Sequence, residues 1–147
     1  MESKLLNESD GRRTYVAVFA TGDEVVRGLL GLAAELQLKG SHFTGLGALE
    51  NVVLGWFDMD AKKYRRIPIG EQVEVISFVG NIAMAPDGKP GLHAHVAVAR
   101  RDGAAYGGHL LEAHVRPTLE VIVTEEPVHL QRTFDKQKGL AFLSTSV

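Results

Sequence analysis

The sequence predicts an α+β fold: a mostly antiparallel sheet of about seven strands, with one covering helix near residues 23–38. Short segments rich in β-branched and aromatic residues recur along the chain, and turn signals such as PDGKPG and RRDGA separate them. One segment carries apolar residues at helical spacing. Strands joined by tight turns pair in antiparallel fashion, and a single helix can cover one face of such a sheet.

Length and composition predict one folded domain. At 147 residues the chain is expected to form a single domain over residues 14–147, preceded by a flexible lead-in over residues 1–13. Apolar residues make up 45% and charged residues 23%, as in ordinary water-soluble domains. The formal charge of −2 provides no global attraction to nucleic acid or anionic membranes.

The chain has no cysteine, which excludes disulfides and thiolate metal ligands and fits a reducing compartment. Its first residues lack the apolar run of a signal peptide, and no apolar stretch approaches the ~20 residues of a membrane span. We therefore expect a cytoplasmic protein that has no membrane-spanning segment.

The helix follows the first predicted strand, TYVAVFA, at residues 14–20. Thr21 and Glu24 are spaced as a capping box, and apolar residues then recur at helical intervals. Lys39 and Gly40 form a C-terminal stop signal. These signals predict a helix over about residues 23–38.

The remaining strands follow from composition and turn signals. NVVLGWF is apolar on both faces, which predicts a strand covered on both sides. RRIPI is expected at a sheet edge, because a proline cannot donate a hydrogen bond within the sheet. The other predicted strands are QVEVISFVGNIAMA, LHAHVAVA, AYGGHLL, TLEVIVTE and a short strand near Leu140.

Four of the six histidines lie between residues 91 and 115. His93 and His95 are two residues apart in a predicted strand, so their side chains leave the same face about 6.5–7 Å apart. Two imidazoles at that separation can share one metal ion. His109, in the next predicted strand, is the candidate for a third ligand.

The face of His109 depends on the register of the hairpin. A turn centred on Gly103 places His109 opposite Ala97, diagonal to His95 and on the same face. A two-residue turn at Asp102 and Gly103 reverses that face, and a bulge at Gly107–Gly108 could decide between them.

Three neutral imidazoles suit Zn²⁺, which commonly keeps a fourth position for water or a ligand when the protein provides three groups. Copper, nickel and iron also accept imidazole, so spacing does not fix the metal. The alternative is that His93 and His95 are partly buried strand residues hydrogen-bonded to backbone. His42, His114 and His129 stand alone, and for them a structural role is the better interpretation.

At these residues the sequence resembles the PPC domain, which plant AT-hook nuclear proteins share with small stand-alone bacterial and archaeal proteins. The segments that carry the resemblance cover nearly the whole chain: FATGDEVVRGLLGLAAE, HFTGLGALENVVLGWF, VEVISFVGNIAMAPDGKPGLHAHVAVARRDGAAYGGHLLEAHVRPTLEVIVTE and LQRTFDKQKGLAFL. The resemblance implies a compact domain that assembles into a homotrimer. It also implies that His93, His95 and His109 form the three-histidine site of prokaryotic members, with zinc as the expected ion.

Two functional classes remain open. The first is a metal-binding protein, whose ion is structural or accepts a small ligand. A metal-dependent enzyme would also need a base, for which Glu120 and Glu74 are the candidates, although either carboxylate could equally be paired with an arginine or with backbone N–H groups. Because no phosphate-binding loop or nucleophile elbow is present, we expect no classical enzyme.

The second class is DNA binding and regulation. Prokaryotic members of the PPC family are often labelled DNA-binding proteins. The local basic residues are KKYRR at residues 62–66, Arg100–Arg101 and Arg116. The alternative is that these charges are solvated and protect hairpin edges. The chain also lacks the R-G-R-P core of an AT-hook, so DNA binding by the plant mode is not expected.

Overall fold

The computed structural model describes residues 1–145, which form one helix and nine strands. The elements, in chain order, are β1 (Glu2–Ser9), β2 (Arg12–Ala20), α1 (Val25–Glu35), β3 (Gly40–Asp58), β4 (Lys63–Ile69), β5 (Val73–Met84), β6 (Pro90–Ala99), β7 (Ala105–Glu125), β8 (Arg132–Asp135) and β9 (Leu140–Leu143). The last two residues of the predicted domain, 146 and 147, lie outside the described residues. No helix in the described part of the chain is both long and apolar enough to cross a membrane.

The main sheet has seven antiparallel strands in the order β1-β2-β7-β6-β5-β3-β4. This confirms the prediction of a mostly antiparallel sheet of seven strands with one helix. An additional pairing of β7 with β3 closes β3, β5, β6 and β7 into a ring of hydrogen-bonded strands. The strands β8 and β9 form a separate two-stranded sheet.

The two longest strands make this closure possible. Near one end, β3 lies between β5 and β7, where Phe43 pairs with Gly80 and with Val123. Towards its other end, β3 lies between β4 and β7, where Gly55 pairs with Arg66 and with His109. AYGGHLL and TLEVIVTE are thus parts of one strand, β7, whereas the sequence predicts two.

The hydrophobic core lies on the inner face of the sheet, against α1. The helix buries Val25, Leu29 and Leu32, which are spaced by three or four residues and therefore lie on one face. The helix contacts mainly β6 and β7. The inner face of β6 and β7 is thus part of the core. Side chains on their outer face lie outside the core, where they can contact a ligand.

The segment predicted as a flexible lead-in is structured. Its residues 2–9 form β1, an edge strand hydrogen-bonded to β2, and the chain turns at Asp10 and Gly11 with φ values of +52° and +77°. Every residue of β1 is exposed, so the strand shows no apolar alternation. The Asp-Gly pair was the available signal, since it is typical of a two-residue hairpin turn.

The helix is shorter than predicted at both ends. Its N-cap is Glu24, not Thr21, and the Glu24 carboxylate accepts hydrogen bonds from the N–H groups of Val26 and Arg27 at 3.2 and 2.7 Å. At the other end Gln37, not Gly40, adopts the left-handed conformation that ends the helix, with φ +55°. Gly40 instead begins β3, where a Cβ atom would lie 2.5 Å from the Val128 carbonyl oxygen.

Candidate metal centre

Three histidines converge on the outer face of the sheet. His95 of β6 is paired directly with His109 of β7, and His93 lies two residues from His95 on the same face. The ring centroids are 5.2 Å apart for His93–His95 and His93–His109, and 5.6 Å for His95–His109. The coordinating nitrogens all lie within 4.8 Å of one another.

The hairpin has neither of the two registers considered from the sequence. It is centred on Asp102, and residues 100–104 connect the strands through hydrogen bonds from Arg100 N to Ala104 O and from Gly103 N to Arg100 O, both 2.9 Å. His109 therefore lies opposite His95, not opposite Ala97. Compared with a turn centred on Gly103, the observed turn shifts the pairing of the two strands by two residues. Because side chains alternate with a period of two, His109 keeps the face that the Gly103-centred turn predicts, which is the face of His93 and His95.

His109 is partly buried beneath a neighbouring aromatic ring. The Tyr64 ring stacks on its imidazole with a centroid distance of 4.5 Å and an interplanar angle of 20°. Its Nδ1 atom is buried and has no hydrogen-bond partner among the described residues. Because a buried polar nitrogen without a partner is costly, this atom is available to a ligand.

The surroundings of His109 and His93 favour the neutral imidazole. Burial, followed by the nearby charges of His93 and His95, lowers the pKa of His109 to about 4. The pKa of His93 is also lowered, by burial first and then by the charges of Arg132 and His95. A neutral imidazole is the form that binds a metal ion.

These residues fit a zinc ion. Zinc bonds to imidazole nitrogen at about 2.0–2.1 Å, so small rotations of the three rings would bring the nitrogens to one ion. The donor set is three imidazole nitrogens without thiolate, and it leaves a coordination position for a further ligand.

A cleft of about 540 Å³ opens beside the cluster. His93, His109 and Tyr64 line it, together with Arg132 and the apolar side chains of Leu92, Leu140, Ala141, Phe142 and Leu143. The partly buried guanidinium of Arg132 donates a hydrogen bond to Asn81 Oδ1. Asn81 is paired with His93 on the adjacent strand, so Arg132 lies next to the cluster.

Sequence reasoning missed Arg132, because β8 is far along the chain from the histidines. The backbone brings the segment there: Leu130 O accepts a hydrogen bond from Met84 N at 2.8 Å, and Gln131 forms a bridge with Met84 at the end of β5. No spacing pattern in the sequence predicts this contact.

The two candidate bases lie away from the histidines. Glu120 of β7 pairs with Val18 of β2 on one side and with Leu46 of β3 on the other. At this level of the sheet, β3 and β5 lie between β7 and β6, the strand that contains His93 and His95. Glu74 pairs with Ala99, four residues along β6 from His95 or about 13 Å at the usual rise of a strand. Neither carboxylate belongs to the candidate metal-binding group found among residues 1–145.

The isolated histidines have other surroundings. His114 Nδ1 lies 3.1 Å from Asn51 Oδ1, and His42 Nδ1 lies 3.8 Å from a carboxylate oxygen of Glu126. His129 lines a shallow surface depression beside Glu125 and Glu126. None of the three is near enough to the cluster to join this candidate metal-binding group.

Most of the candidate DNA-binding residues are paired with carboxylates. Arg65 contacts Asp58 at 2.6 Å and Arg66 contacts Glu112 at 3.0 Å. Arg100 is paired with Glu71, and Arg116 lies 3.8 Å from Glu50. The positive potential of these residues is therefore partly neutralised within the chain.

The fold and the site together define a class of protein: a mostly antiparallel α+β domain with three histidines gathered on its outer face. The family model of the Plants and Prokaryotes Conserved (PCC) domain matches residues 6–127. The chain belongs to this family. The resemblance stated from the sequence is therefore confirmed.

Solved structures are similar over nearly the whole chain. A protein from Bacteroides thetaiotaomicron, described as a putative DNA-binding protein, has a TM-score of 0.86 at 25% identity and covers 97% of this chain and 96% of that one. A plant- and prokaryote-conserved (PPC) protein from Pyrococcus horikoshii has a TM-score of 0.83 at 28% identity, covering 97% and 94%. A protein from Archaeoglobus fulgidus, described as metal-containing, has a TM-score of 0.81 at 32% identity, covering 89% and 92%. No curated protein matches the sequence.

Proposed function

We propose that this protein binds one divalent metal ion, zinc by preference, through His93, His95 and His109, and that it does so as a homotrimer. The observation that carries the metal site is the convergence of three imidazoles within 4.8 Å, with the buried His109 Nδ1 left without a partner. A purely structural cluster would be expected to satisfy that nitrogen by a hydrogen bond. The description of the Archaeoglobus fulgidus protein as metal-containing supports the same proposal.

The proposal is of a binding protein and not of a classical enzyme. Glu120 and Glu74 remain candidates for a base, but their positions do not bring a carboxylate to the histidines. The ion would therefore serve as a structural centre or as a binding point for a small ligand. Turnover of a small substrate that disappears in Glu120→Gln or Glu74→Gln would reverse this preference.

Elemental analysis of protein purified without chelator tests the metal site. We expect about one zinc per chain in the unaltered protein and nearly none in His95→Ala. His42→Ala is the matched control, because it removes an exposed imidazole outside the cluster and should keep the zinc. Metal-free protein that takes up none when zinc is supplied would refute the site, and another divalent ion at one per chain would refute zinc alone.

The trimer is supported by an apolar surface on the outer face. We call Val18, Leu46, Val79 and Ile122 the outer apolar patch. All four are exposed, with Leu46 exposed to 64%, and the strand pairings place them on adjacent strands of one face. Val79 also pairs with His95, so the patch borders the histidine cluster. Contiguous exposed apolar surface of this kind is typical of subunit contacts.

DNA binding is the second candidate function, and the description of the Bacteroides thetaiotaomicron protein favours it. The carboxylates beside Arg65, Arg66, Arg100 and Arg116 weigh against it. A mobility shift with duplex DNA at low salt is the test, since phosphate contacts are strongest there. A shift that weakens steeply with added salt and in Arg101→Gln would support DNA binding, and no shift at low salt would exclude it.

A further inference from the structure

The cleft beside the histidine cluster contains a cation that has no acidic partner among residues 1–145. Arg132 is partly buried, and none of the ion pairs found among residues 1–145 includes it. Within the described part of the chain, its guanidinium donates one hydrogen bond, to the neutral amide oxygen of Asn81. Other arginines on the sheet, such as Arg65, Arg66 and Arg100, have carboxylate partners.

A guanidinium has five N–H donors, and its fork geometry matches a carboxylate. One bond to Asn81 therefore leaves donors available on the cleft side. Because partial burial makes an uncompensated charge costly, an anionic ligand would satisfy Arg132 better than water does.

The other walls of the cleft limit what kind of anion fits. Leu92, Phe142 and Leu143 line it with apolar surface, and the Tyr64 ring stacks on His109 at the same place. A small inorganic anion would leave this surface in contact with water. An organic anion can bury its apolar part there and direct its charged group towards Arg132 and the histidines.

We propose that this cleft binds an organic monocarboxylate with a compact apolar body, recognised by Arg132 next to the His93–His95–His109 cluster. This rests on the proposed function, since the ligand would be held at the edge of the metal site. Arg132 is thus assigned as the residue that selects a negative charge. The apolar walls select the body of the ligand.

Benzoate and benzamide are suitable probes, because they have the same shape and differ in charge. The protein is loaded with Co²⁺ in place of zinc, and binding is followed by titration calorimetry and by the cobalt absorption spectrum. We expect benzoate to bind with a change in the spectrum and benzamide to bind at least about tenfold more weakly, as expected for a hydrogen bond to a charged group.

The variant Arg132→Gln should weaken benzoate binding by about tenfold to a hundredfold and leave Co²⁺ uptake intact. Arg27→Gln, which removes an exposed arginine of α1, is the matched control and should bind benzoate normally. Imidazole, a neutral metal ligand, should perturb the cobalt spectrum equally in all three proteins. That result would show that the variant has lost recognition of the carboxylate and not the metal site.

The outcomes separate the two proposals. Failure of the unaltered protein to take up Co²⁺ would refute the metal site and the ligand site with it. Uptake of Co²⁺ with equal affinity for benzoate and benzamide, or with none for benzoate, would refute the carboxylate alone. This comparison needs no substitution, so it holds even if Arg132→Gln does not fold.

Discussion

Asp58 shows how one carboxylate organises a turn of this protein. At the end of β3 it accepts hydrogen bonds from the N–H groups of Asp60 and Ala61, at 3.1 and 3.0 Å, and from the guanidinium of Arg65. The same guanidinium lies 5.4 Å from the centroid of the exposed Trp56 ring. Asp58 thus fixes the turn that positions β4, the strand that contains Tyr64 of the cleft.

The pKa of Asp58 is lowered from its ordinary value of 3.8, mainly by the N–H of Ala61 and then by Arg65. A lowered pKa in the folded state means that the charge of Asp58 stabilises the fold above the pKa of the unfolded chain. That contribution is lost as the pH falls through the lower, folded pKa. We therefore expect Asp58→Asn to lower the melting temperature at pH 7 and to have a smaller effect below about pH 4.

Thermal unfolding of both proteins at pH 7, 5 and 3 measures this effect, and their difference cancels the pH dependence of all other groups. Asp60→Asn is the control, because the Asp60 side chain is exposed in the same turn. A difference between Asp58→Asn and the unaltered protein that stays constant down to pH 3 would contradict the assignment.

At the scale of elements, α1 combines two glycines with opposite surroundings. A Cβ atom at Gly28 would lie 2.4 Å from Cε1 of the buried Phe19, so the helix packs closely on β2 there. A Cβ atom at Gly31 would have no atom of residues 1–145 within 4 Å, apart from its own helix backbone and chain neighbours. Both glycines lower the helix propensity, but only Gly28 is needed for packing.

We expect Gly31→Ala to raise the free energy of unfolding by about 0.5–1 kcal/mol, which is the propensity gain. Gly28→Ala should lower it by about 1–3 kcal/mol, because the Phe19 ring must move out of a filled core. Urea denaturation of the two variants measures both changes. Similar changes in both would show that helix propensity alone governs these positions.

The short elements β8 and β9 matter for the site more than for the core. They complete the cleft with Arg132 and Phe142. A hydrogen bond from Met84 N to Leu130 O and a bridge between Met84 and Gln131 attach them to the end of β5. Their contribution explains why β6 and β7 alone do not form the whole candidate site.

At the scale of the whole molecule, the outer apolar patch predicts self-association. Light scattering should give a mass of about 48 kDa, three times the 15.9 kDa of one chain. Leu46→Glu places a charge in the patch and should shift the mass towards that of the monomer. Val128→Glu, at a position exposed to 73% outside the patch, should not.

A mass of 15.9 kDa over a wide concentration range would exclude the trimer. If the trimer persists in Leu46→Glu, a different face joins the subunits. In that case the outer apolar patch, and the histidine cluster that it borders, would not lie at the subunit interface.

Much of the fold follows from local patterns in the sequence. The strand segments, the helix and the edge position of RRIPI are confirmed, because apolar alternation, helical spacing and proline act within a few residues. Strand β1 was missed, since an edge strand exposed on both faces has no apolar pattern. The union of two predicted strands into β7, and its second pairing with β3, depend on contacts between distant parts of the chain.

The sequence by itself determined that His93 and His95 share a face, because side chains alternate along a strand, and its family resemblance indicated His109 as their partner. Only the tertiary structure decided that His109 lies directly opposite His95, that Arg132 borders the cluster and that Glu120 and Glu74 lie away from it. The physical reason is that alternation is a property of one strand, whereas pairing and cleft formation depend on the register and closure of the whole sheet.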